Sequence, residues 1–463
     1  MSPMFAQPVT GFTSAVETAA RLRSGAVSAR EVLAEHVARI EAENPTINAI
    51  VTLTLDRAEA MAEAADVAHA KGDSLGPLHG LPVAHKDLAL TAGVRTTFGS
   101  PLFADNVPTV DQLIVTRQHA AGAVMLGKTN TPEFGAGSHT FNPVFGVTRN
   151  PHDPQRSAGG SSGGAAAALA SGMVVLADGS DLGGSLRNPA AFCGVVGFRP
   201  TPGRVPSWPD SDPWATLSTE GPMGRTVSDV AFYLSVLAGP DPRVAVSLGD
   251  SGSLFAAPLT APARRLRVAW SPQLGNLPVE PEILAVIEAA LRRWDVDIQA
   301  ADPPLREADF VFETLRAMPM AANYGRLVDA HPDKVKDSIR WNVAEGRRLT
   351  AVDVGMANSA RARIFQAMYG FWERFDVLAC PVTQVLPFPV EVEYPMVVAG
   401  QPMNTYYEWM RSCSRLTVTG SPAISVPAGF TAGGLPVGLQ LVAAPRADRC
   451  LLDAAFGFEQ SIS

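Results

Sequence analysis

Charge is scarce in this 463-residue chain: 18% of residues are charged, and the 37 basic residues, set against 45 acidic ones, form no cluster. A nucleic-acid surface needs a basic stripe or patch, so that class of partner is excluded. The four cysteines, Cys193, Cys380, Cys413 and Cys450, stand far apart. Their spacing excludes a disulfide framework and a C-x-x-C site, and it suits a reducing, cytoplasmic location. Seven of the eight histidines precede residue 153, but none shows H-x-x-x-H or H-E-x-x-H spacing. No metal or other cofactor is therefore expected. No apolar run reaches the roughly 18 residues that span a bilayer. The opening M-S-P-M-F-A-Q-P lacks the basic and apolar regions of a signal peptide, so no membrane association is expected.

What is abundant is core material. Hydrophobic residues make up 46% of the chain, enough for one large α/β domain with elaborations or for two domains. Residues 10–70 read as helices: one over 13–24, one capped by Ser28, and one ending at Gly72. The sheet is expected to begin at residues 81–88, L-P-V-A-H-K-D-L, and to continue at 123–126. Further strands are expected near 193–198, 266–270, 376–381, 424–427 and 438–442, with a linker over 239–263 and a helical, charge-rich stretch from about 270 to 374. Residues 122–129, G-A-V-M-L-G-K-T, match the phosphate-loop pattern by letter. The four intervening residues are themselves a strand and Pro132 follows at once, so the loop-to-helix context is missing.

Residues 157–187 concentrate the chemistry. Ser161 and Ser185 are both flanked by glycine, 24 residues apart, on either side of an alanine-rich helix and an apolar strand. Glycine neighbours leave a serine hydroxyl uncovered, and Gly183 and Gly184 offer unhindered N–H groups where an oxyanion would form. Gly159-x-Ser161-x-Gly163 also matches a nucleophile elbow, but the preceding N-P-H-D-P-Q-R reads as turn and only His331 follows in the required order. Lys86 interrupts an apolar strand. Such a lysine is either paired, for instance with Asp87, or desolvated until it is neutral near pH 7, when it can act as a base. The long Pro/Gly/Asn-rich connection over 130–156 leads into the serine loop and can wall a pocket beside it, as can loop residues Trp208 and Trp214.

The ordered set L-P-V-A-H-K-D at 81–87, G-G-S-S-G-G at 159–164 and D-L-G-G-S-L-R at 181–187 resembles the amidase signature family. The similarity extends from T-A-A-R-L-R-S-G-A-V-S at 18–28 to G-L-P-V-G-L-Q-L-V at 434–442. The resemblance implies an α/β fold in which a large mixed β-sheet is covered by helices on both faces. It implies hydrolysis of a small-molecule amide to carboxylate and ammonia or amine, most simply the EC 3.5.1.4 reaction. Ser185 would be the acyl-forming nucleophile, Ser161 a bridging serine in a cis peptide and Lys86 the base. Leu182, Gly183, Gly184 and Ser185 would supply oxyanion-hole amides, and Gly135 the acyl-site wall. The expected layout is an N-terminal helical segment (1–75), a catalytic core (76–240), a variable substrate-covering region (241–375) and C-terminal strands completing the core (376–463). A homodimer is the assembly entertained. The alternative is the A subunit of a glutamine amidotransferase, which delivers ammonia to a partner protein. His85, where the family usually has a small or apolar residue, is expected to point away from the catalytic side of its strand.

Overall fold

The computed structural model describes residues 12–262 and 264–463. The reading of residues 1–8 and the last residue of the expected linker, Ala263, lie outside the described residues. The strands of the main sheet, in chain order, are β1 (Ile50–Leu53), β2 (Pro82–Lys86), β3 (Val124–Thr129), β4 (Leu176–Asp181), β5 (Val196–Arg199), β6 (Thr219–Gly224), β7 (Arg267–Trp270), β8 (Asp297–Ala300), β9 (Val377–Pro381), β10 (Ala423–Phe430) and β11 (Pro436–Val442). They lie side by side in the order β1-β3-β2-β4-β6-β5-β10-β11-β9-β7-β8. β2 runs parallel to both β3 and β4, β7 runs parallel to β8 and β9, and the remaining pairings are antiparallel.

Every residue of β2, β3 and β11 is buried, as expected of strands covered by helices on both faces. Helix Gly163–Ala170 is buried along all eight residues, so small alanines are what let it lie inside the molecule. The N-terminal helices form as read: Ser28 caps helix Ala29–Ile47 in a reciprocal box with Glu31, and helix Leu55–Lys71 stops at left-handed Gly72.

Four expectations change. The sheet starts at β1, not at residue 81, because the four-residue I-V-T-L edge strand is too short for a periodicity signal. Residues 153–157 are not a turn but pair with Arg149–Asn150 in a small separate ribbon. Cys193 closes helix Arg187–Cys193, and the strand begins only at Val196. β8 lies within the stretch read as helical, and being exposed along its whole length it shows no apolar face to the sequence. Among the described residues no helix is long and apolar enough to cross a membrane.

Candidate active site

Parallel pairing brings the site together. Ala84 faces Ala177 across β2 and β4, so the register carried two residues further sets Lys86, the last residue of β2, beside Gly179. A Cβ on Gly179 would lie 2.6 Å from Ser162 Oγ and 2.8 Å from Leu186 Cδ2, so only glycine leaves room there. Lys86 Nζ is 2.7 Å from Ser161 Oγ, 2.9 Å from Ser162 Oγ and 3.1 Å from Ser180 Oγ. Its contacts are hydroxyls rather than carboxylates. Burial is the largest influence and takes its pKa down from 10.5 to about 7, against the opposing pull of Asp181 and then Asp178.

Ser161 follows a cis Gly160–Ser161 peptide and leads into helix Gly163–Ala170. Ser185 stands in the turn between β4 and helix Arg187–Cys193. The two loops are tied by the Ser162 N–H, which donates to the Ser185 carbonyl at 3.2 Å. Ser161 and Ser185 line one cavity of about 920 Å³, together with Gly135, Leu182 and Gly183. A Cβ on Gly135 would lie 3.6 Å from Ser161 Oγ. One expectation is corrected. The Gly184 N–H already donates to Asp181 Oδ1 at 2.8 Å, so it does not join the amides open to an oxyanion. Gly184 is required for its backbone instead: its φ is +121°, and a Cβ would sit 2.6 Å from Asn188 Nδ2.

Residues 31–452 match the amidase family. The chain belongs to that family. It is 38% identical to an acylamidase of Rhodococcus erythropolis, covering 96% of this chain and 94% of that protein. It is 34% identical to the A subunit of the glutamyl-tRNA(Gln) amidotransferase of Synechococcus sp. (strain CC9605), covering 95% and 94%. The structure of a bacterial aryl acylamidase of the amidase signature enzymes superposes with a TM-score of 0.91 at 29% identity, covering 98% of this chain and 97% of that one.

Asp181 and Arg187, which shape the candidate site, are given no role by the sequence reading. Asp181 holds the Ser185 turn: besides Gly184 it accepts from the Leu186 N–H at 3.1 Å and from Arg187 Nε and Nη2, both at 2.9 Å. Burial alone would raise its pKa, but Arg187 and then Arg199 hold it far below the usual carboxylate range. Both Asp181 and Arg187 lie inside the glycine-serine motif, where paired charges six residues apart in an otherwise small, apolar run were the available clue. His85 points away from Ser161, as its alternation with Lys86 predicts. Its Nδ1 lies 2.5 Å from Asp178 Oδ2, while Asp178 Oδ1 accepts the Lys86 backbone N–H at 2.9 Å. Gln118 Nε2 donates to the same carboxylate at 3.0 Å. A smaller cavity of about 220 Å³, which shares Leu88, Gln112 and Ser180 with the large one, is lined by Lys86 and Glu220. Burial, then the neighbouring Asp178, pushes Glu220 up to about 8. Trp208 stacks under Arg243, 3.9 Å from ring centroid to guanidinium, whereas Trp214 is exposed and lines the large cavity.

Proposed function

We propose that this chain carries out the amide hydrolysis of its family through an acyl-enzyme on Ser185, with Ser161 and Lys86 relaying the proton. The observation that carries the reading is the 2.7 Å contact between Lys86 Nζ and Ser161 Oγ, behind a cavity that Ser161 shares with Ser185. A lysine held near 7 is about half neutral at neutral pH and so competent as a base. Ser185 Oγ adds to the amide carbonyl while its proton passes to Ser161, and the Ser161 proton passes to Lys86. The N–H groups of Leu182, Gly183 and Ser185 stabilise the oxyanion. On collapse the proton returns through Ser161 to the departing nitrogen. Water then repeats the sequence on the acyl-enzyme, so one amide and one water become one acid and one amine or ammonia.

The acyl wall contains Leu88, Phe134, Leu182, Phe312, Leu315 and Met410, which supports a substrate with an apolar body rather than a fully polar one. Simple carboxylic amides, the EC 3.5.1.4 class, are the first to test, with helix Ala308–Ala330 of the 241–375 region covering the substrate. The cytoplasm is the proposed compartment, since all four cysteines are free and three are buried. A homodimer is the proposed assembly, checked by light scattering. The similarity to amidotransferase A subunits favours one second reading, ammonia delivery from glutamine to a partner. A panel of aliphatic, aromatic and amino-acid amides decides between them: turnover of simple amides by the isolated chain supports the amidase, and turnover of glutamine alone supports the amidotransferase.

A further inference from the structure

Phe312 and Arg316 stand one turn apart on helix Ala308–Ala330 and both line the cavity that Ser185 faces. Phe312 fixes the distance to the reacting loop, because its Cζ is 2.9 Å from the place a Cβ on Gly183 would take. Arg316 therefore lies roughly 5–6 Å further along the cavity wall. It is 5% exposed, and among the described residues no carboxylate comes within ion-pairing distance of it. The acids nearest along its helix are engaged elsewhere: Glu313 with Arg411 at 2.9 Å and Asp309 with Arg415 at 2.7 Å.

What Arg316 does touch leaves it short of acceptors. Its guanidinium carbon is 4.5 Å from the Tyr407 ring centroid and 5.5 Å from that of Tyr406. Ring faces attract the charge, yet they accept nothing from N–H groups lying in the guanidinium plane. Nη1 donates to the Tyr406 hydroxyl at 2.7 Å, and Nε has no partner among the described residues. The Tyr406 hydroxyl also accepts from Asn342 Nδ2 at 2.7 Å, so it has its own proton left to give. Turning the Asn342 amide over would pair that proton but leave the arginine unchanged. A buried guanidinium without a counter-charge is costly, and the missing anion is supplied most simply by whatever fills the cavity.

We propose that Arg316 and Tyr406 form a recognition site for a substrate carboxylate, so that the preferred amides carry an anionic group about one helical turn from the scissile carbonyl. The 5–6 Å separation corresponds to roughly four carbon–carbon bonds, the reach of a five-carbon dicarboxylic monoamide. This rests on the reading of Ser185 as nucleophile. The carboxylate can sit on the acyl side or on the amine side, and the two sources share one chemistry.

The test compares kcat/KM for glutaric acid monoamide with neutral valeramide, and for an N-acyl amino acid with the corresponding N-acyl alkylamine. Wild type should prefer the anionic member of at least one pair, and which pair it is assigns the side. Arg316→Met should lower that anionic-to-neutral ratio about a hundredfold, and Tyr406→Phe, which keeps the ring, about tenfold. Calorimetric titration of glutarate reads the site without turnover: it should bind wild type and not Arg316→Met. Labelling of Ser185 by a fluorophosphonate shows that a variant is folded, and if Arg316→Met fails to label, Arg316→Lys takes its place, with the ratio still falling because the planar fork is lost. No anionic preference in either pair, or a labelled variant that keeps the preference and the glutarate binding, overturns the site. Failure of wild type to label, with glutarate binding intact, counts against the nucleophile assignment and not against the site.

Discussion

Replacing Lys86 tests the base and its burial together. Lowering a lysine from 10.5 to about 7 corresponds to roughly 5 kcal/mol in favour of the neutral form. If neutral Lys86 is the base, kcat/KM should fall about tenfold from its alkaline plateau by pH 6 and about a hundredfold by pH 5. Lys86→Met should remove that limb and cost about 10⁴-fold in rate, because members of a proton relay act as a unit. Lys86→Arg should be nearly as damaging, since guanidinium does not release a proton in this range. Stability supplies an independent readout. The folded-state pKa lies below the unfolded one, so between about 7 and 10.5 the unfolded chain binds more protons and stability rises with pH; below about 7 the full penalty is present. Lys86→Met escapes that penalty but loses contacts to three serine hydroxyls, each worth about 1 kcal/mol. At pH 6 it should therefore be about 2 kcal/mol more stable than wild type in urea unfolding, and the advantage should vanish by pH 10. An active arginine variant, a flat acid limb, or a stability difference that does not change with pH would refute the reasoning.

The remaining tests are direct. Ser185→Ala should abolish turnover and the fluorophosphonate adduct while leaving the fold intact, with intact-protein mass spectrometry locating the wild-type adduct on Ser185. His85→Gln removes the partner 2.5 Å from Asp178 and leaves more of that buried carboxylate's charge acting on Lys86, so the acid limb of kcat/KM should move to higher pH; an unmoved limb would reduce His85 to packing. Asp181→Asn leaves Arg187 and Arg199 buried without their anion and should cost about 3–5 kcal/mol of stability, read as a fall in Tm. No cluster that could hold a metal ion is present among the described residues, so activity should survive exhaustive dialysis against EDTA, and restoration by a divalent ion after loss would overturn the serine–lysine reading.

Legibility in the sequence followed the reach of the signal. β2, β10 and β11 are largely buried, and their mainly apolar stretches are broken by few polar residues, so their positions were legible from the local pattern. Lys86 was visible because it violates such a run. β1 and β8 were invisible because edge strands need no second apolar face. Gly184 shows a different limit. Glycine spacing suggests where amides lie open, but not that a carboxylate three residues earlier, at Asp181, has already taken one of them.

Pairings across the fold lie deeper still. His85 and Asp178 are 93 residues apart, and only the parallel register of β2 and β4 makes them neighbours. Once that register is known the pairing follows from alternation, since cross-strand partners share a face and Lys86 must then face Gly179 and the serines. Arg316 is the extreme case. It stands in a helix that also carries Asp309, Glu313, Arg326 and Asp329, where an arginine is ordinarily solvated or paired, and nothing local distinguishes it from Arg326. Its meaning comes from three aromatic rings contributed by residues 341, 406 and 407, and from acids that chose other arginines. Chemistry that must be preorganised on the backbone is written in short motifs, whereas selectivity assembled from distant side chains becomes readable only when the chain is folded.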